Sequence, residues 1–239
     1  MDGGVVNEGY NSTLAGLKGI PRAAEEIMLA REMILAETLH KRAHICHVST
    51  KGGVQLLREA KARGVQITAE TCPHYFTLTD DVVTSFDANT KVNPPIREAE
   101  DVAAIKEGLR DGTLDCIVTD HAPHHVDEKN VEYNLAAFGI SGIETSFSLS
   151  YTYLVKGGVL SLSELADRMS AAPARILHLE GGKIAEGEVA DLMLADLNAE
   201  YVIDSKKFVS KGKNTPFGGM KVSGKVLCTI VDGDVKYRA

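Results

Sequence analysis

AHICHVSTKGGVQLLREAKARGVQITAETCPH, residues 43–74, alternates two kinds of pattern. His44-Ile45-Cys46-His47-Val48 has the composition of a short strand. Ser49-Thr50 follow as cap residues, whose side-chain oxygens accept from the first free N–H groups of a helix. Val54, Leu56, Leu57 and Ala60 then recur along one helix face. Gly64 closes that helix, and Val65-Gln66-Ile67-Thr68-Ala69-Glu70 is the next strand. A strand, a helix and a strand at this spacing form a βαβ unit, which implies a parallel sheet.

The pattern continues on both sides. Glu98 to Leu109 reads as a helix ended by Gly112, and Asp115-Cys116-Ile117-Val118-Thr119 reads as a third strand. Upstream, Pro21 opens a helix carrying Ile27, Met28, Ile34, Leu35 and Leu39. Residues 1–19 are Gly-, Asn- and Ser-rich and are expected to be a loop. Residues 127–160 are expected to be irregular, and Ser163–Met169 and Pro173–Leu177 to be two short helices. From Lys183 onward the text is strand-like, and Asp232-Gly233 is a hairpin signal. A boundary near residue 180 separates an α/β part, 1–180, from a small β-rich part, 181–239.

Composition narrows the function. The 26 Lys+Arg against 33 Asp+Glu give a net charge of −7, which disfavours a nucleic-acid surface or a polybasic membrane anchor. No apolar run approaches the roughly 20 residues needed to span a bilayer. Met1-Asp2-Gly3-Gly4 lacks the pattern of a signal peptide, so a cytoplasmic location is expected. Cys46, Cys72, Cys116 and Cys228 stand singly, without the paired spacing of a zinc ribbon, and read as free thiols.

Chemistry-bearing residues gather where strands end. In βα barrels the C-terminal strand ends carry the active site. His47, His74, His121, His124 and His125 lie at or just after such ends. His47 suits a metal ligand, because a neutral imidazole nitrogen is a donor zinc accepts; a backbone-satisfied histidine is the competing reading. Asp120 follows apolar strand residues, where a carboxylate needs a partner, a metal or a cap to fill. His124, stiffened by Pro123, could meet a substrate carboxylate or remain a solvated loop residue. His74, His121 and His125 read as structural. Asn93, in Lys91-Val92-Asn93-Pro94-Pro95-Ile96-Arg97, is held by two prolines in a rigid segment suited to orienting its amide. Phe138-Gly139 could offer a backbone N–H to a ligand, since Gly permits close approach.

Together these runs resemble the dihydroorotases, the bacterial long-chain type within the amidohydrolase superfamily. The resemblance rests on Gly16-Leu17-Lys18-Gly19-Ile20-Pro21, His44-Ile45-Cys46-His47-Val48-Ser49-Thr50, Ala69-Glu70-Thr71-Cys72-Pro73-His74 and Lys91-Val92-Asn93-Pro94-Pro95-Ile96-Arg97. It also rests on Thr119-Asp120-His121-Ala122-Pro123-His124 and Asn214-Thr215-Pro216-Phe217. It implies a partial TIM-like (β/α)8 hydrolase barrel, strands six to eight, plus part of a small C-terminal β domain. It implies His47 as a zinc ligand, Asp120 as ligand and general base, and Asn93, His124 and the backbone of Phe138-Gly139 as substrate-binding groups. The activity implied is zinc-dependent interconversion of dihydroorotate and carbamoyl aspartate in pyrimidine biosynthesis.

The resemblance also implies that an N-terminal half is missing, and with it the His-x-His pair and the remaining ligands of a binuclear zinc centre. With only His47 and Asp120, the isolated chain is expected to bind zinc weakly and to have little or no hydrolase activity. Three strands leave an open edge that favours association, through a homodimer or a second chain. The alternatives are a related cyclic amidohydrolase (allantoinase or hydantoinase) and a non-catalytic scaffold partner of aspartate carbamoyltransferase.

Overall fold

The computed structural model describes residues 3–239; the loop expected at Met1 and Asp2 lies outside the described residues. Strands β1 (Val6–Asn7) and β2 (Gly19–Ile20) pair in parallel around helix α1 (Tyr10–Ala15). This corrects the loop expected over residues 1–19. Two-residue strands carry no periodicity to read, and α1 leaves Tyr10 and Leu14 exposed, so no apolar stripe marks it.

The expected alternation holds from there. Pro21 precedes helix α2 (Ala23–Leu39), for which Arg22 is the N-cap; its buried face is Leu29, Met33 and Ala36, whereas Ile27, Met28, Ile34, Leu35 and Leu39, read from the sequence as its apolar residues, are exposed. Strand β3 (Ala43–Ile45) leads into helix α3 (Lys51–Ala62), and the Thr50 side chain caps it by accepting from the Gly53 N–H. Gly64, at φ +81°, turns the chain into strand β4 (Ile67–Thr71). After helix α4 (Pro73–Thr77) comes helix α5 (Ala99–Arg110), with Glu98 as N-cap, and then strand β5 (Cys116–Ile117). The sheet order is β3-β4-β5, all parallel. β5 is shorter than the strand expected over residues 115–119, although Val118 still donates to the Thr71 carbonyl at 2.9 Å.

Period-two alternation sorts the strand residues onto two faces. Ile45, Ile67, Ala69 and Ile117 face the helices and join one core with Leu29 and Met33 of α2, Val54 and Leu57 of α3, and Ile105 and Leu109 of α5. The other face carries His44, Thr68 and Glu70. That face positions the site.

Residues 127–160 are more ordered than expected. They take in most of helix α6 (Val126–Lys129) and all of helix α7 (Ser146–Ser150), which continues as a π-helical turn over Tyr151–Val155. The buried residues of α7 are three serines and Leu149, so the segment shows no apolar periodicity. The two short helices expected after it are one continuous stretch. Helix α8 (Leu162–Ala166), a π-helical turn (Asp167–Ala171) and helix α9 (Ala172–Leu177) follow without a break. Pro173 lies in the first turn of α9, where a missing N–H is tolerated. The wider turn before it makes room for the ring, which would otherwise meet the carbonyl one turn back.

Strands β6 (Leu192–Val202), β7 (Lys221–Val231) and β8 (Asp234–Arg238) form an antiparallel sheet. Asp232 and Gly233, both at positive φ, make the tight turn between β7 and β8. The segment between β6 and β7 returns to the α/β part. Ile203, Phe217 and Val222 share a core cluster with Val92, Ile96, Ile140 and Leu149. Among the described residues no helix is long and apolar enough to cross a membrane.

Candidate metal centre and substrate cleft

His47 and Asp120 follow β3 and β5, and both adopt the left-handed conformation, at φ 57° and 45°. For a residue with a Cβ this conformation costs roughly 1–2 kcal/mol, so the surroundings must hold it. The turn breaks the strand alternation. Strict alternation would send His47 towards the helices beside Ile45. Instead its Nε2 faces Glu70 Oε1 at 3.5 Å and Asp120 Oδ1 at 3.7 Å. All three side chains are half-buried or buried.

The turn after β3 is anchored from below. Glu25 of α2 accepts from the Ser49 N–H at 2.9 Å and bonds the Ser49 hydroxyl. Arg97 is buried, and its guanidinium reaches four partners: Ser49 Oγ, Asn7 Oδ1, the Ile20 carbonyl and Glu25 Oε2. This one side chain therefore ties β1, β2, α2 and the turn after His47.

His74 lies at the start of α4, fully buried, with no hydrogen-bond partner for either ring nitrogen among the described residues. Burial, reinforced by nearby His47, lowers its pKa to about 3. Its ring packs edge-on against Tyr75 at 4.1 Å. The structural reading of His74 holds to this extent: it is a neutral core imidazole.

His124 and Phe138 come together. His124 Nε2 lies 2.8 Å from the Phe138 carbonyl, and its Nδ1 lies 3.2 Å from Glu128 Oε2. Gly139, at φ +126°, packs so closely that an added Cβ would stand 2.5 Å from the Ala122 Cβ. Its N–H donates to the Lys91 carbonyl at 2.9 Å, so this N–H pins two loops together rather than facing a ligand. Asn93 is exposed and lines a cleft of about 600 Å³ with Lys18, Lys91, Asn134 and Phe138. His124 opens instead onto a separate cleft of about 830 Å³, with Lys129, Lys211 and Lys213. Phe138, which lines the first cleft and contacts His124 by its carbonyl, lies between the two groups.

His121 and His125 do structural work. His121 Nδ1 accepts from the Gly142 N–H, and His125 caps α6.

Sequence reasoning gave no role to several residues that shape the site. Glu70 faces His47, and its position at the end of β4 was the available signal. Lys91 lies 4.5 Å over the Phe138 ring and donates to the Tyr133 and Asn134 carbonyls. Burial lowers its pKa. Asn214 accepts from the His124 N–H and donates to the Ala122 and Gly139 carbonyls, holding the His124 loop from the β-rich part of the chain.

Residues 11–236 match the Amidohydrolase family. The chain belongs to this family. Its α/β fold is TIM-barrel-like, and such enzymes are typically metal-dependent. Among the similar proteins, the dihydroorotase of Thermoanaerobacter sp. (strain X514) is 56% identical over 235 residues, 98% of this chain and 54% of that protein. The dihydroorotase of Acetivibrio thermocellus is 55% identical over 237 residues, 99% of this chain and 56% of that protein. This amidohydrolase chain thus spans about half the length of the curated relatives it matches.

The solved L-hydantoinase (dihydropyrimidinase) from Arthrobacter aurescens superposes with a TM-score of 0.84 at 32% identity, over 89% of this chain and 48% of that one. A D-hydantoinase (dihydropyrimidinase) from Thermus sp. gives 0.84 at 27% identity, over 91% and 49%. The resemblance read from the strand-end motifs is borne out, since the similar curated proteins are dihydroorotases.

Proposed function

We propose that this amidohydrolase chain is the C-terminal part of a dihydroorotase, which opens or closes the cyclic amide of dihydroorotate. Residues 1–180 then contribute strands six to eight of the barrel, and residues 181–239 contribute to the small β domain. Supporting this division, the parallel strands all precede residue 118 and the antiparallel sheet begins at Leu192. The observation that carries the function is the convergence of His47 and Asp120 from different strands, in a chain 56% identical to a dihydroorotase.

The pair fits a zinc ion. Two donors about 2.0–2.1 Å from one tetrahedral ion stand roughly 3.3 Å apart, close to the 3.7 Å between His47 Nε2 and Asp120 Oδ1. Neutral imidazole and carboxylate are donors that zinc accepts. When bound, with further ligands from outside this chain, zinc would lower the pKa of an attacking water and polarise the amide carbonyl. Asp120 would accept the proton lost by that water and deliver it to the departing ring nitrogen, releasing carbamoyl aspartate. The reverse order of these transfers closes the ring. Asn93 would orient the substrate by its amide from one cleft and His124 would meet it from the other, with Phe138 between them; the Gly139 N–H, bonded to the Lys91 carbonyl, takes no part in binding. Three residues on separate loops fix a substrate more tightly than one, because each removes a different rotation.

The test is assembly. This chain would be co-expressed with the N-terminal half of the Thermoanaerobacter relative and assayed with dihydroorotate, hydantoin and allantoin. Dihydroorotate turnover above both analogues is expected, with none from the isolated chain. Equal or better turnover of either analogue overturns the substrate. Full activity of the isolated chain overturns its reading as part of a site. Wild-type stimulation of an aspartate carbamoyltransferase, with no turnover in any assembly, would favour the scaffold role instead.

A further inference from the structure

His44 and Cys46 lie on and just after β3, and Glu70 lies on β4. The parallel register pairs His44 with Thr68, and the period of two carries the same face on to Cys46 and Glu70. One nitrogen, one sulfur and one carboxylate oxygen of His44, Cys46 and Glu70 all lie within 4.8 Å of one another. The His44 ring is held in place: Nδ1 is 2.7 Å from Thr68 Oγ1 and Nε2 is 2.9 Å from Glu70 Oε2. In metal sites one histidine nitrogen keeps such a neighbour, here Thr68, while the other, here bonded to Glu70, would exchange that bond for the ion. Glu70 is buried, and a buried carboxylate is stabilised by a cation that replaces its lost water. Its two oxygens face different ways, Oε2 to His44 and Oε1 to His47 at 3.5 Å.

We propose that His44, Cys46 and Glu70 form a second cation site for a zinc-class divalent ion, nearer the start of the strands than the His47–Asp120 pair. Imidazole, thiolate and carboxylate together suit zinc or cadmium rather than magnesium or calcium, which take oxygen donors. Three protein donors leave one tetrahedral position for water. Binding replaces the Cys46 S–H bond with a metal–sulfur bond and releases the proton to solvent, with no change of oxidation state. The inference rests on these side chains and not on the dihydroorotase reading.

The metal-free 239-residue chain would be titrated with cadmium and followed by the thiolate-to-cadmium charge-transfer absorption. In parallel, alkylation of Cys46 by iodoacetamide would be quantified by mass spectrometry with and without zinc. One thiolate-bound cadmium per chain is expected, and zinc should slow Cys46 alkylation at least tenfold. Cys46→Ser should lose the absorption, and His44→Ala and Glu70→Gln should weaken binding at least tenfold. His47→Ala should keep the absorption, since that side chain belongs to the other site. Unchanged Cys46 alkylation in the wild-type chain overturns the site without recourse to any variant. Absorption persisting in Cys46→Ser, or lost in a folded His47→Ala, overturns it as well.

Discussion

His47 Nε2 and Asp120 Oδ1 stand 3.7 Å apart, although α3, β4, α4, α5 and β5 all lie between the two residues along the chain. Both are held in left-handed backbone at strand ends. Under the proposed dihydroorotase reading, with this chain paired to an N-terminal half, Asp120→Asn would keep the shape of the side chain but remove the proton-carrying role assigned to it. We expect kcat to fall by roughly 10²–10⁴-fold. Steady-state kinetics with dihydroorotate would check this, and retention of a tenth of the activity would remove Asp120 from the proton-carrying role.

Arg97 is the buried hub beneath the His47 turn. Removing one partner of a buried, hydrogen-bonded ion pair leaves the other charge uncompensated. Arg97→Ala is therefore expected to destabilise the chain by about 3–5 kcal/mol. Urea unfolding would measure it. A loss below about 1 kcal/mol would mean that Glu25, Ser49 and Asn7 find other partners.

His74 makes stability depend on acid. Its folded pKa of about 3 lies below the ordinary 6.5, so the unfolded chain binds a proton first as pH falls. Its contribution is intact above about pH 6.5 and is lost progressively between about 6.5 and 3, by an amount on the order of a few kcal/mol. His74→Phe removes this titration while filling the space. Urea midpoints at several pH values should decline less steeply in the variant than in the wild type. Parallel declines would show that His74 does not drive the acid sensitivity.

Gly139 should not tolerate a side chain. An added Cβ meets the Ala122 Cβ at 2.5 Å and His124 Nε2 at 3.2 Å, in backbone that favours glycine. Gly139→Ala is expected to cost about 1–3 kcal/mol and to displace His124 from the Phe138 carbonyl. Thermal unfolding would read the first effect and the His124 ring resonances in NMR the second. An unshifted His124 signal would contradict the close packing.

The C-terminal return is tested at Asn214. Asn214→Ala deprives the His124 N–H and the Ala122 carbonyl of a partner, while the Gly139 carbonyl keeps Lys129 Nζ. Each buried group left without a partner costs roughly 1–3 kcal/mol. Hydrogen exchange of the His124 and Ser141 amides should accelerate, while that of Ile67 and Ala69 on β4 stays as it was. Uniform acceleration across both regions would point to global loosening instead.

The amino-acid sequence set the order and type of the main elements. The face of α3, the Thr50 cap, Gly64 and the Asp232-Gly233 turn are local signals, and each is written within a few residues, whereas the buried face of α2, Leu29, Met33 and Ala36, is not the one its apolar spacing suggests. It also placed His47 and Asp120 at strand ends, where barrel chemistry gathers, and its motif runs carried the family. Tertiary structure decided the rest. The strands and helix within residues 6–20 exist because partners elsewhere, Arg97 and Asp80 among them, accept and donate to Asn7 and Asn11. The facing of His47 depends on a left-handed turn that period-two alternation does not encode. Glu70 and Asn214 acquire their roles only when distant segments meet. Local propensity acts over a few residues, whereas convergence of donors is a property of the packed sheet, and no single stretch of this chain contains it.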